Sequence, residues 1–321
     1  WEKRTSVIRD EKGAIIHETK NVEVPKAWSQ LATDIITFKY FRKRGVPTEK
    51  SDTGGETSAR QVVYRVAHSL RMSGEKQRGY FASSTDADTF EAELTHLLIH
   101  QMRAFNSPVW FNVGLFEEYG IEGQDGQYQW DETSQTAITS PNAYERPQCS
   151  ACFIQRIEDD LMSIFDTVKT EARLFKYGSG TGTNFSRIRS KYEKLSGGGT
   201  SSGLISFLKV FDMGAGATKS GGTTRRAAKM VVLDIDHPEI EDFIWWKVRE
   251  ERKAKILVEY GGYSADFNGE AYHTVSGQNS NNSVRVTDDF METVESGGEW
   301  RTTFRTTGEV FKTYKARELM A

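Results

Sequence analysis

Residues 148–177, QCSACFIQRIEDDLMSIFDTVKTEARLFKY, decide the fold, because an apolar segment of strand type is followed directly by one of helix type. The piece SACFIQRI alternates and predicts a β-strand. Residues 159–177 space their apolar side chains three or four apart, which predicts a helix with one buried face. Gly178 then ends that helix. A strand followed by a helix is the repeating unit of parallel α/β folds.

The same switch from strand to helix recurs along the rest of the chain. The strand and helix segments are TNFSRIRS (183–190), SSGLISFLKVFDM (201–213), KMVVLDI (229–235), HPEIEDFIWWKVREE (237–251) and SVRVTDDFMETVES (283–296). Such alternation predicts a parallel α/β arrangement with its chemistry at the carboxyl ends of the strands. Periodicity alone does not distinguish an open sheet from a barrel.

The first third of the chain has a different pattern. Before about residue 105 the apolar spacing is helical, so we predict a helical region over 1–105 and the α/β domain over 106–321. Residues 118–146 are polar and read as an exposed loop. His96 and His100 have the spacing of a metal pair on a helix, but no third ligand is near, and packing is the favoured interpretation. We therefore predict no metal site.

Composition excludes several classes of protein. The chain has 321 residues, a formal net charge of −3 and two cysteines, and it has no long apolar run or leader pattern. We expect a soluble, cytoplasmic protein that does not bind nucleic acid or a membrane. The chain opens on Trp1 and stops at KARELMA inside a predicted helix, so we also expect it to be part of a longer protein.

The only cysteines, Cys149 and Cys152, have the spacing of a redox dithiol, of half a zinc site, or of two small buried residues. Zinc needs two further soft ligands, which the sequence lacks. A thioredoxin-like dithiol sits at the start of a helix, whereas Cys152 falls early in a predicted strand. Strand alternation places the two side chains on opposite faces, so their sulfurs are not expected to bond. Any redox partner of Cys152 would then lie outside this chain.

Three glycine-rich stretches and one acidic pair are candidate ligand sites. YGSGTGTN (177–184) lacks the Lys-Ser or Lys-Thr ending of a phosphate-binding P-loop. KSGGTTRRAAK (219–229) interleaves four cations with glycine, which suits a polyphosphate, although a solvated turn explains it as well. The loop at 191–203, KYEKLSGGGTSSG, is open enough to fold over a ligand. Asp159 and Asp160 cap a helix or accept the hydroxyls of a ribose.

Together these segments resemble the large, catalytic subunit of ribonucleotide reductases, most closely the adenosylcobalamin-dependent class II type. The resemblance is carried by FNSPVWFNVG (105–114), QCSACFI (148–154), EDDLMSIF (158–165), GSGTGTNFSRIRS (178–190), SGGTTRRAAKMVVLDIDHPEIEDFIWWK (220–247) and GQNSNNSVRVTDDFM (277–291). It implies a helical N-terminal region followed by the first part of a ten-stranded α/β barrel. It also implies reduction of ribonucleoside di- or triphosphates to deoxynucleotides, the precursors of DNA, by radical chemistry.

The resemblance assigns roles to residues of the substrate site. Cys152 is similar to the strand cysteine that reduces the substrate as half of a disulfide pair, and Cys149 to a bystander. Ser107, Ala151 and Gly180 match positions that line the substrate pocket, although several relatives carry serine where this chain has Ala151. A thioredoxin- or glutaredoxin-like protein would re-reduce the disulfide.

A second set of residues resembles the site for the deoxynucleoside triphosphate (dNTP) effector that selects the substrate. The matching residues are Asp159, Asp160, Leu161, Arg189, Lys219, Arg225 and Arg226. The loops at 191–203 and 219–229 match those that report the effector to the substrate pocket. The first two helices after Cys152 would pair across a homodimer.

The family's radical-bearing cysteine, in the pattern Asn-x-Cys-x-Glu, does not occur in the chain. We therefore expect these 321 residues alone to be inactive. Two other interpretations remain open at this point. One is a non-catalytic dNTP-binding module or split subunit, and the other is the di-metal class I large subunit, which needs a separate radical-generating protein.

Overall fold

A computed structural model of the chain describes residues 1–9, 13–48, 51–77, 79–123, 127–220, 225–266 and 269–321, with the backbone alone at 51–53, 219–220 and 225–226. The chain divides into two compact units, Trp1–Ala151 and Cys152–Ala321. The division falls at the start of the strand that contains Cys152. The boundary at 105/106 expected from the sequence lies inside the first unit.

The first unit contains the helices that the periodicity predicts before residue 105. They are α1 (Gln30–Ile35), continued by a π-helical turn (Ile36–Tyr40), α2 (Ala59–Lys76) and α3 (Ser84–Ile99). Two short helices that were not predicted follow, α4 (Ser107–Asn112) and α5 (Leu115–Tyr119). α2 begins with a capping box, in which Ser58 and Gln61 exchange side-chain and backbone hydrogen bonds.

The first unit also contains three antiparallel strand pairs that helical periodicity does not predict. These are β1 (Glu2–Arg9) with β2 (Ile15–Val24), β3 (Val46–Thr48) with β4 (Ser51–Gly54), and β5 (Tyr128–Asp131) with β6 (Thr136–Thr139). Val22 and Val24 of β2 are buried with Trp28, Phe41 and Val62. The hairpin is therefore stabilised by packing on the helices, and the N-terminal region is not helical throughout. The β5–β6 pair lies in the stretch predicted as a loop.

The second unit alternates strands and helices, as predicted. Its strands are β7 (Cys152–Gln155), β8 (Gly180–Asn184), β9 (Lys219–Ser220), β10 (Arg225–Arg226), β11 (Lys229–Asp234), β12 (Asn281–Arg285), β13 (Glu299–Thr303) and β14 (Val310–Lys315). Its helices are α6 (Leu161–Lys176), α7 (Leu204–Ala217), α8 (Ile240–Gly261), α9 (Glu270–His273), α10 (Asp288–Ser296) and α11 (Ala316–Met320). Among the described residues, no helix combines the length and apolar composition that crossing a membrane requires.

A parallel sheet of four strands, in the order β12-β11-β8-β7, organises this unit. The mixed α/β class with a parallel sheet is thus confirmed. β8 begins three residues before the predicted strand TNFSRIRS, on the glycine-rich segment GTGTN. Its pairing with strands on both sides overrides the weak strand preference of glycine.

The two faces of the sheet differ sharply. One face carries Thr181, Thr183, Val231 and Leu233, which are buried beneath the helices. Large apolar side chains of α6, α7, α8 and α10 complete this core, among them Ile164, Leu208, Phe211, Phe243, Trp246 and Phe290. The other face, which we call the helix-free face, carries the side chains of Cys152, Ile154 and Met230.

Candidate functional site

Cys152 and Gly180 lie side by side on the helix-free face. They are register partners at the first positions of β7 and β8. Both therefore lie at the amino ends of their strands, whereas the α/β alternation predicts chemistry at the carboxyl ends. Where the chemistry sits stays a prediction. Strand pairing places the thiol next to a residue without a side chain, and Gly180 itself is buried.

The Cys152 side chain is exposed and its thiol is free. Ile154, two residues along the same strand, is 97% exposed, and Met230 on β11 is 45% exposed. A Cβ built on Gly182, between those two strands, would meet no atom within 4 Å. The face around the thiol is apolar, unfilled and accessible, which is the opposite of a cysteine used as core packing.

Cys149 has a different environment. Its side chain packs against the buried cluster of Val66, Val109 and Val113 in the first unit, and its thiol donates to the carbonyl of Pro147 at 3.3 Å. Burial raises the pKa of the Cys149 thiol, which disfavours the reactive thiolate. Both cysteines are free, as predicted, although Cys149 lies outside β7, so strand alternation is not the reason.

Ser107 and Ala151 belong to the first unit. Ser107 begins α4, and its hydroxyl lies 3.1 Å from the hydroxyl of Tyr40. Ala151 is half-buried and directly precedes β7. The amide of Asn112, in α4, donates to the carbonyl of Gln148 at 2.9 Å and so holds the segment that leads to Ala151. The contribution of Ser107 and Ala151 to a substrate pocket stays a prediction.

Asp159 and Arg189, two predicted effector residues, are brought together. The guanidinium of Arg189 donates to Asp159 at 2.5 Å, and the backbone N–H of Arg189 donates to the same carboxylate at 3.1 Å. Arg189 also donates to the carbonyl of Lys194, at 3.1 Å, which links the pair to loop 191–203. Both side chains remain about a quarter exposed. The pair thus joins the start of α6 to the base of that loop.

Asp160 caps α6, because its carboxylate accepts from the backbone N–H of Ser163 at 3.0 Å. The structure thus assigns the cap to Asp160, whereas Asp159 binds Arg189. Leu161, which follows, is 56% exposed. Sequence reasoning missed Arg187 here. Its guanidinium donates to Glu158 at 2.9 Å and 3.0 Å and stays more than half exposed, which leaves a cation beside the helix N-terminus.

Loop 219–229 is described in part. Arg225 pairs with Ser220, and Arg226 with Lys219, in a short antiparallel ladder. The side chains of Lys219, Arg225 and Arg226 are not among the described parts of the chain, so the effector role predicted for them stays a prediction. Lys229 is not available to a polyphosphate, because its ammonium is 1% exposed and donates to the carboxylate of Glu171 on α6.

Loop 191–203 is held at both ends by buried carboxylates. Glu239 accepts from the backbone N–H groups of Lys191 at 3.1 Å and Leu204 at 2.7 Å, and burial raises the pKa of Glu239. Gly203 has φ +80°, and a Cβ there would lie 2.8 Å from the backbone nitrogen of Lys191. Only glycine fits that position. Glu193 ties the loop to the β13–β14 hairpin through Thr306.

His237 is buried beneath loop 191–203 and contacts the backbone on either side of it, at Ile188 and Glu239. Its Nε2 lies 2.8 Å from the carbonyl of Ile188, and its Nδ1 accepts from the backbone N–H of Glu239 at 3.0 Å. These partners require a neutral ring with its proton on Nε2. Burial lowers the pKa of His237 to about 4. Its sequence context, one residue before Pro238, gave no signal of this role.

Within the described ranges, no group of three or more His, Cys, Asp or Glu side chains could hold a metal ion. His96 and His100 are exposed at the end of α3, with ring centroids 4.2 Å apart.

Comparison with protein families identifies the family. Residues 150–319 match the family described as ribonucleotide reductase, barrel domain, and residues 2–101 match the family described as class II vitamin B12-dependent ribonucleotide reductase. The chain therefore belongs to the ribonucleotide reductase family, in its class II, vitamin B12-dependent branch.

Individual relatives agree with this assignment. A vitamin B12-dependent ribonucleotide reductase of Rhodopirellula baltica is 47% identical over the whole chain, and one of Streptomyces coelicolor is 44% identical over 99% of it. A vitamin B12-dependent ribonucleoside-diphosphate reductase of Thermoplasma acidophilum is 36% identical over 54% of the chain. The chain spans 30% of the length of the first two relatives and 19% of the third.

Proposed function

We propose that the protein containing this chain reduces ribonucleoside di- or triphosphates to 2′-deoxynucleotides, and that Cys152 supplies one of the two reducing thiols. The observation that carries the proposal is the exposed thiol of Cys152 beside Gly180 on the helix-free face. Gly180 and Gly182 leave room for a ribose against the sheet, and Ser107 and Ala151 are proposed to line the same pocket. No step is assigned to Cys149, which is half-buried among valines.

The electron balance requires a second thiol. Two thiols that become one disulfide release two electrons and two protons. Replacing the ribose 2′-hydroxyl by hydrogen consumes both and releases one water. Since Cys149 packs in a separate cluster, we place the partner of Cys152 beyond these 321 residues. A thioredoxin- or glutaredoxin-like dithiol would restore both thiols by exchange through a mixed disulfide.

The class II family implies adenosylcobalamin, which supplies the radical when bound. Around Cys152 the helix-free face carries glycines and apolar side chains, and further along it carries the hydrogen-bonded side chains of Asn184, Asp234 and Arg285. None of these is a histidine, so we assign no described residue to the corrin. What this chain contributes is the hydrogen-donating thiol and its placement. The strand fixes the sulfur, and the open face admits the substrate.

The parallel sheet is proposed to be the first part of a ten-stranded barrel. The helix-free face would then line the interior, and the exposed side chains of Ile154 and Met230 would be covered by the remaining strands. β7 is an edge strand of the sheet described here, which leaves its outer side open for that pairing.

A dNTP effector site is proposed at the start of α6. Asp159 and Asp160 would accept from the 3′-hydroxyl of the deoxyribose, Leu161 would contact the nucleoside, and Arg189 would bind phosphate. The exposed guanidinium of Arg187 adds charge there, and a helix N-terminus favours anions. Lys219, Arg225 and Arg226 are proposed to contact the effector from loop 219–229. Since Asp159 and Arg189 already pair, effector binding would exchange that ion pair for contacts with the ligand.

A homodimer is proposed through α6 and α7. Both helices expose large apolar side chains, with Met162 at 66%, Phe165 at 45% and Met213 at 61%. Helices that face solvent alone would carry polar residues at these positions. The class I alternative is not favoured, because residues 2–101 match the class II family. Nothing favours a non-catalytic module over an enzyme.

The full-length protein with adenosylcobalamin, a dithiol reductant and no second protein tests the proposal. Cys152→Ser should abolish multiple turnover, while Cys149→Ser, the matched control three residues away, should retain it. Equal turnover in the two variants would contradict the role of Cys152. A requirement for a separate radical-generating subunit would contradict the class.

A further inference from the structure

A buried ion pair joins α6 to β11. The ammonium of Lys229 donates to the carboxylate of Glu171, and both side chains are at most 3% exposed. Thr181 of β8 donates its hydroxyl to the same carboxylate at 3.0 Å. The ammonium also lies 4.3 Å from the ring centroid of Phe211 and 5.2 Å from that of Phe185. The pair is thus enclosed by aromatic rings on the helix side of the sheet.

Glu171 and Lys229 lie on the two elements that carry the proposed effector site and loop 219–229. Glu171 is on the helix capped by Asp160, eleven residues and about 16 Å from that end at the usual helical rise. Lys229 begins the strand that leaves loop 219–229, three residues after Arg226. The backbone of Thr181 donates to the carbonyl of Ala228 at 2.9 Å, which fixes the same end of the loop to β8. One contact therefore links the helix of the proposed effector site to the loop of proposed substrate selection.

Stability does not explain the pair. Burying two charges costs free energy, and their mutual attraction and hydrogen bonds roughly cancel that cost. Apolar side chains of similar volume at the same positions often give equal or greater stability. Removing one partner, in contrast, leaves an unpaired buried charge. A displacement of Glu171 relative to Lys229 would leave a buried charge unpaired, whereas apolar contacts tolerate such a shift.

We propose that Glu171 and Lys229 are positioning residues that transmit the state of the effector site to loop 219–229, and so to the choice of ribonucleotide. The inference rests on the proposed function and deepens it. Neither residue touches the substrate. They act by fixing the carboxyl end of the loop to α6.

The test uses the full-length protein and a double variant, Glu171→Met with Lys229→Met, which removes the ion pair without leaving a buried charge. The measurement is kcat/KM for two ribonucleotides, with and without a dNTP, together with direct binding of that dNTP. In the wild type, a coupling of about 5- to 150-fold is typical of allosteric enzymes, and in the double variant we expect less than about twofold. Effector-free reduction and dNTP binding should persist in the double variant. If the pair has only a structural role, the ratio of kcat/KM with and without the dNTP stays as in the wild type, whatever the effect on stability.

Glu241→Gln is the matched control. It breaks the ion pair of Glu241 with Lys312, which is 2.9 Å long and about half exposed, and it should leave the effector response as in the wild type. A double variant with a full effector response would overturn the inference alone. A wild-type protein that reduces no ribonucleotide would overturn the proposed function and this inference with it. Should the double variant not fold, Glu171→Gln combined with Lys229→Met also removes both charges and gives the same readout, and a full response there overturns the inference equally.

Discussion

Replacing Glu193 with alanine tests how loop 191–203 is held in place. The Glu193 side chain is buried and accepts four hydrogen bonds. Two come from the backbone N–H and hydroxyl of Ser190, at 2.7 Å and 2.8 Å. The other two come from the backbone N–H and hydroxyl of Thr306, at 2.8 Å and 2.9 Å. The carboxylate of Glu193 therefore connects the loop to the β13–β14 hairpin through hydrogen bonds to both.

The size of the effect follows from these contacts. A hydrogen bond to a charged group contributes about 1.5–3 kcal/mol, and an unsatisfied buried donor costs about 1–3 kcal/mol. The burial cost of the carboxylate and water entry into the space left behind offset part of the sum. We expect a loss of about 3 kcal/mol in the free energy of unfolding. For a unit of this size, that loss lowers the melting temperature by about 6–12 °C.

Urea denaturation measures the free energy, and amide hydrogen exchange at residues 190–203 locates the change. Glu299→Gln, on the same hairpin but exposed, is the control and should change stability little. Ordinary surface substitutions change stability by less than about 0.5 kcal/mol. A loss within that range would contradict the claim that Glu193 holds the loop to the hairpin. So would unchanged exchange protection in the loop.

The pH dependence of Glu193→Ala gives an independent readout. Burial favours the neutral acid, but the hydrogen bonds from Ser190 and Thr306 outweigh it and hold the pKa of Glu193 below its usual value. Below the ordinary carboxyl pKa the unfolded chain binds more protons, so stability is lost as pH falls through the folded pKa. The variant should lack this contribution. If the free energy of unfolding of the variant fell with decreasing pH as steeply as that of the wild type, Glu193 would not be the source of this pH dependence.

Three further predictions concern stability, each measured by denaturant or thermal unfolding. Gly203→Ala should cost about 2–4 kcal/mol because its φ is positive and Lys191 blocks the Cβ, whereas Gly198→Ala, with φ +89° but open space, should cost about 1 kcal/mol. Between pH 6.5 and 4, the low pKa of His237 should remove about 3 kcal/mol of stability as pH falls, a slope that His237→Gln should lack. Asp160→Ala should cost about 1 kcal/mol through the lost cap, and an unchanged melting temperature would refute it.

The sequence was sufficient for features that depend on local periodicity. The helices α2, α3 and α6 and the strand β11 follow from apolar spacing, since burial of one face imposes that spacing. The opposite faces of Cys152 and Phe153 follow from the two-residue repeat of a strand. The family resemblance placed Asp159 and Arg189 in one predicted site, but their contact is seen only in the structure, because residues thirty apart in sequence carry no local signal of contact.

Other features depend on tertiary partners that periodicity cannot reveal. The strand at Gly180 exists because neighbours pair with it on both sides, although glycine favours no strand by itself. Lys229 looked like one cation of a basic loop, but Glu171, far away in sequence, draws it into the core. The buried carboxylates of Glu193 and Glu239 are likewise defined by the backbone groups that they bind.

Thiol mapping after a single turnover tests the role of Cys152 most directly. The full-length protein is reduced, freed of reductant, supplied with adenosylcobalamin and a ribonucleotide, and then alkylated for peptide mass spectrometry. We predict that Cys152 escapes alkylation in proportion to the deoxynucleotide formed, with one disulfide per product, while Cys149 is alkylated as before. If deoxynucleotide forms and Cys152 is still fully alkylated as a thiol, its electrons did not reduce the substrate.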